Sequence, residues 1–181
     1  MHKLINLRIP DTIKDELIQE FVSIINLTYE NYINHSWIYD NIIRPHSTIL
    51  ANKYGFHSTS SDQNRYSNIP HSDPRPAGLN LAIANCTTDS RTVFFSCRDD
   101  STVVTVKGED NNVRATYYVG QCKIIGSAAL LNDECMLLDT TIPHTVINLL
   151  PYDKKRIVLS IDCKVSYNEA VNYFNSLGLI K

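Results

Sequence analysis

Ile69-Pro-His-Ser-Asp-Pro-Arg-Pro-Ala-Gly-Leu-Asn-Leu-Ala-Ile83 is the stretch on which the reading of this chain turns. Its first half is polar and punctuated by prolines; its second half is apolar and strand-like. On extended backbone, side chains at i and i+2 share one side, so His71 and Asp73 can reach a common point. Leu79 to Asn85 reads as a strand. Further short segments follow it, each rich in branched or aromatic residues and bounded by Asp, Asn, Gly or Ser turns: Thr92 to Cys97, Thr102 to Lys107, Arg114 to Val119, Cys122 to Ile125, Met136 to Asp139, Thr145 to Leu149 and Arg156 to Cys163. Many short strands at close spacing predict a sandwich or barrel, not a parallel sheet with crossover helices.

Working outward, Ile13, Leu17, Ile18, Phe21, Ile24 and Ile25 recur at helical spacing after a cap at Asp11 or Thr12, which predicts an amphipathic helix over about 11–28 that covers a sheet face. Arg44-Pro45 should interrupt any regular element there. Ser47 to Tyr54 is the expected first strand, and the polar stretch Gly55 to Asn68 the expected loop, placed to act as a lid. Ser166-Tyr-Asn-Glu169 is a capping-box pattern, with Gly178 as the stop for its helix. The expected organisation is one domain over 1–181: a helical part at about 11–45, a barrel at about 47–163 and a closing helix at about 166–177.

At 181 residues the chain can bury a substantial core without cross-links. A net charge of −2, with no run of like charge, argues against a nucleic-acid surface. The five cysteines, at 86, 97, 122, 135 and 163, contain no C-x-x-C pair and are expected to be reduced, mostly buried thiols. With no apolar leader and no run of roughly 18 apolar residues, the expectation is a cytoplasmic protein without a membrane segment.

His144, in Pro143-His144-Thr145-Val146-Ile147-Asn148, supplies a third ligand to join His71 and Asp73. In a rolled antiparallel sheet, strands distant in sequence become neighbours, so positions 71 and 144 can meet. Two histidines and one carboxylate form the ligand set of a non-haem ferrous site that keeps positions open. Arg156 heads a strand on which Arg156, Val158, Ser160 and Asp162 share one face, with Ile157, Leu159, Ile161 and Cys163 on the other. An arginine pointing into a barrel needs an anionic partner, and its planar fork suits a carboxylate. That partner is either a ligand or a carboxylate of the protein itself.

The pattern His71-x-Asp73, then His144, then Arg156 on the next strand resembles the Fe(II)- and 2-oxoglutarate-dependent oxygenases, over roughly Ile69 to Asp162. The resemblance implies a mainly β fold with flanking helices, its core a double-stranded β-helix, or jelly-roll (cupin-like) barrel. It implies iron held by His71, Asp73 and His144, with the distal carboxylate of 2-oxoglutarate held by Arg156. Ser160 would support that carboxylate and Asn80 would contact the cofactor. Lys154 and Lys155 would take over the role of Arg156 if the register slipped by one. The implied reaction consumes O2 and hydroxylates a C–H bond of a small molecule, an amino acid or a protein side chain. An aspartate at 73, in place of a small residue, favours hydroxylation over halogenation. Arg65, Tyr66 and Arg75 are placed to hold an acidic substrate group, and His2, His35, His46 and His57 are expected at the surface or behind the ligands. Two other classes fit parts of the pattern: a cupin-like metalloprotein that is no oxygenase, and a metal-free binding module.

Overall fold

The structure is a computed structural model describing residues 1–24, 35–59, 69–98, 102–107, 113–117, 119–151 and 154–181. Its strands are β1 (His2–Ile5), β2 (Leu50–Thr59), β3 (His71–Ser72), β4 (Gly78–Ala84), β5 (Ser90–Cys97), β6 (Thr102–Lys107), β7 (Val113–Tyr117), β8 (Cys122–Ala129), β9 (Cys135–Leu138), β10 (His144–Asn148) and β11 (Arg156–Cys163). They form two antiparallel sheets, ordered β1-β9-β4-β11-β2 and β6-β7-β3-β10-β5-β8. The helices are α1 (Asp11–Ile24), a short α2 (Ser36–Ile38) and α3 (Tyr167–Ser176). After α2 the chain continues through a π turn, Tyr39–Ile43, into a 3-10 turn, Arg44–His46, tightening where Pro45 has no N–H to donate.

The alternation along β11 sorts its residues as period two requires. Ile157, Leu159, Ile161 and Cys163 join Leu79, Leu81 and Ile83 of β4 in a buried cluster on the outer face of the first sheet. Leu17 and Phe21 of α1, Ile38, Ile42, Ile43, and Ala170 and Phe174 of α3 complete it. Val158 points the other way, between the sheets, with Ala82, Met136, Leu138, Phe94 and Ala128. Helices therefore cover one side of the first sheet while its other side faces the second. At α3 the capping box is complete: the Ser166 hydroxyl accepts from the Glu169 N–H, and the Glu169 carboxylate accepts from the Ser166 N–H. Gly178 ends the helix at φ +67°, in the left-handed region that glycine enters without Cβ strain.

Three expectations need correction. The strand expected over 47–54 runs Leu50–Thr59, because β2 pairs with β11 from Arg156↔Thr59 to Cys163↔Leu50. That ladder overrides the polar composition after Gly55, and the rest of the expected lid, at 60–68, lies outside the described residues. The N-terminal strand β1 was not expected; it is held on β9, from His2↔Leu138 to Ile5↔Cys135. The cysteines are not all thiols: Cys97 and Cys122 form a disulfide, while Cys86, Cys135 and Cys163 are free and buried. Pairing of β5 with β8 sets Cys97 directly opposite Cys122, a juxtaposition that their separation of 25 residues conceals. The expectation that all five are reduced thiols is thereby corrected. No helix among the described residues is long and apolar enough to cross a membrane.

Candidate metal and ligand site

β3 is only two residues long, yet it carries the site. It lies between β7 and β10, with His71 opposite Thr116 on one side and His144 on the other. Residues directly opposed in an antiparallel pair project to the same face, so the two rings meet, centroids 4.8 Å apart. On its other side His144 opposes Phe94, which is buried between the sheets, so that face is the interior. Asp73 follows one residue after the strand, its N–H donating to the Thr140 carbonyl at 2.9 Å. Its Oδ1 lies 3.8 Å from His71 Nε2, and its Oδ2 lies 4.0 Å from His144 Nε2. One ligand atom from each residue falls within 4.8 Å of the others. Adjacent ligands on an octahedral ion at about 2.1 Å stand about 3 Å apart. Closing onto an ion therefore takes shifts of about an ångström, within the reach of side-chain rotation.

Both rings are oriented by the backbone two residues upstream. His71 Nδ1 lies 3.2 Å from the Ile69 carbonyl, and His144 Nδ1 lies 2.8 Å from the Ile142 carbonyl. A carbonyl only accepts, so each Nδ1 donates the proton of that hydrogen bond, which leaves Nε2 as the ring nitrogen on the Asp73 side. Histidines that ligate metals are held in this way.

A second group of polar atoms faces the same interior from the first sheet. Ser160 on β11 is flanked by Gly55 of β2 and Asn80 of β4, and the next rung holds His57, Val158 and Ala82. Apart from His57 these are small side chains. Arg156 is 3% exposed, while Lys154 and Lys155 are exposed, so the register selects the arginine. Among the described residues no carboxylate pairs with it. Its Nε, Ser160 Oγ and Asn80 Oδ1 are all buried without a hydrogen-bond partner. Burial pulls the guanidinium below its ordinary range, only partly offset by the neighbouring Cys86 thiol. Burial in turn pushes that thiol up, against the pull of Arg156.

Arg75 is committed to the protein, not to a substrate. Its Nε donates to Asp73 Oδ2 at 3.2 Å and its Nη1 donates to Asp162 Oδ1. Burial works against its charge, but the two carboxylates outweigh burial and hold it above its ordinary range. Arg65 and Tyr66 lie outside the described residues. His57, expected at the surface or behind the ligands, lies on β2 opposite Val158, whose side chain is buried between the sheets. The residue is exposed. Its place opposite Val158 could be read only once β2 was known to extend past Tyr54.

No protein-family model matches the chain, and no curated protein is significantly similar to it.

Proposed function

We propose that this protein is an Fe(II)- and 2-oxoglutarate-dependent oxygenase that hydroxylates a C–H bond of a small molecule, an amino acid or a protein side chain. The observation that carries the proposal is the set of buried, unpartnered polar atoms on Arg156, Ser160 and Asn80, facing the interior that also holds His71, Asp73 and His144. An uncompensated buried guanidinium is costly, and a ligand carboxylate would relieve it in forked geometry. Near the triad, the two carboxylates Asp73 and Asp162 pair with the guanidinium of Arg75, while no carboxylate among the described residues pairs with Arg156.

The topology supports a jelly roll. With β1 and the β6–β7 hairpin set aside, eight strands remain, and they pair as the arms of one long hairpin: β2 with β11, β3 with β10, β4 with β9 and β5 with β8. Two further pairings, β11 with β4 and β10 with β5, roll that hairpin into two sheets.

In this reading His71, Asp73 and His144 would hold the iron. When bound, the iron and 2-oxoglutarate supply the oxidative decarboxylation to succinate and CO2 that drives hydroxylation. The chain itself contributes placement. The Ile69 and Ile142 carbonyls keep Nε2 of each histidine available, Arg156 and Ser160 hold the distal carboxylate, and Phe94, Val158 and Ala82 limit water. Incubation with Fe(II), 2-oxoglutarate and O2 should yield succinate, and His71→Ala or Asp73→Ala should abolish it. Metal binding without succinate would favour a non-oxygenase metalloprotein, and full succinate production by either variant would refute the site.

A further inference from the structure

We propose that Arg75 is a positioning residue that sets the affinity for the divalent metal, by fixing the orientation of the Asp73 carboxylate between the two histidines. The inference rests on the metal-binding reading above. Arg75 Nε donates to Asp73 Oδ2, the oxygen 4.0 Å from His144 Nε2, and so holds the carboxylate with Oδ1 3.8 Å from His71 Nε2. The far end of the guanidinium is anchored on Asp162 of β11, in the opposite sheet from β3 and β10. The backbone is fixed as well: Thr140 Oγ1 donates to the Arg75 carbonyl at 2.6 Å, and the Thr140 carbonyl accepts from the Asp73 N–H. Gly78 completes the seat. A Cβ there would stand 3.3 Å from the Arg75 Cζ, so the planar group lies across a position that has no side chain. Of the three ligands, only Asp73 sits off a strand, and it is the one that receives this second set of contacts.

Two effects of Arg75 oppose each other. As a nearby cation it repels a metal; as a clamp it removes freedom that the carboxylate would otherwise lose on binding. Groups that orient a ligand typically change metal affinity 10- to 100-fold when removed. The experiment is titration of the metal-free protein with Mn(II), followed by electron paramagnetic resonance and calorimetry, alongside melting of each metal-free variant. Arg75→Gln should weaken Mn(II) binding at least tenfold, and Arg75→Lys, which keeps the charge but cannot bridge Asp73 and Asp162, should not restore it. Asp162→Asn, which loosens only the far anchor, should weaken binding several-fold and serves as the test if the Arg75 variants do not fold. Arg75→Gln binding Mn(II) as tightly as the unaltered protein, or more tightly, would overturn the inference, as would an unchanged affinity in Asp162→Asn. Lowered melting without a change in affinity would assign these residues to structure alone and also overturn it. Failure of the unaltered protein to bind Mn(II) would instead sink the metal reading itself.

Discussion

His57 carries the most displaced imidazole among the described residues. The protein packed around it, then Arg75 and Arg156, push it from 6.5 to about 4, while Asp73 and Asp162 pull it upward. At neutral pH the ring is uncharged, so it can both donate and accept hydrogen bonds. The sign of the pH dependence follows by linkage. Between about 6.5 and about 4 the unfolded chain binds a proton that the folded chain refuses, so stability contributed above 6.5 is lost as pH falls through this window. Because the ring is partly open to solvent, the loss is smaller than the full shift implies. Melting from pH 7 to pH 4 should therefore fall more steeply in the unaltered protein than in His57→Gln; parallel profiles would contradict the burial of this imidazole. His71, Asp73, His144 and Arg156 were legible in the sequence because each stands beside a strand signal. His57 was not, because its place opposite Val158 depends on a β2–β11 ladder that polar residues disguise.

At the scale of elements, what could be read is what is locally encoded. Ser166-x-x-Glu169 announced α3, and the alternation from Arg156 to Cys163 announced which side of β11 meets the helices. What could not be read depends on partners elsewhere: four-residue β1 exists through β9, and the disulfide exists because β5 lies beside β8. The bridge Cys97–Cys122 closes a loop of 25 residues, for which chain entropy gives roughly 3–4 kcal/mol. Reduction should lower stability by that order in a denaturant titration while leaving Mn(II) affinity unchanged, because the ligands come from β3, β10 and the turn after β3. Equal stability of the oxidised and reduced forms would show that the cross-link contributes nothing.

For the molecule as a whole, antiparallel pairing of strands distant in sequence explains how 71 and 144 come to be opposite one another. Partner numbers rise on one arm as they fall on the other, from Thr59↔Arg156 through His71↔His144 and Gly78↔Leu138 to Arg91↔Ala129. His71 and His144 lie on the second sheet, and Arg156, Ser160 and Asn80 on the first. Among the described residues no carboxylate pairs with the buried Arg156 guanidinium. The proposed joining of the two sheets by one metal-held dicarboxylate is tested most directly by anaerobic melting of the unaltered protein and of Arg156→Met, with and without Mn(II) and 2-oxoglutarate. The unaltered protein should be stabilised by the keto acid only when metal is present, by about 2.7 kcal/mol at a hundredfold excess over Kd. Arg156→Met, relieved of its buried charge, should melt higher without ligand and gain nothing from the keto acid. Equal stabilisation of both proteins by 2-oxoglutarate, or a ligand-free Arg156→Met that melts lower than the unaltered protein, would contradict the account.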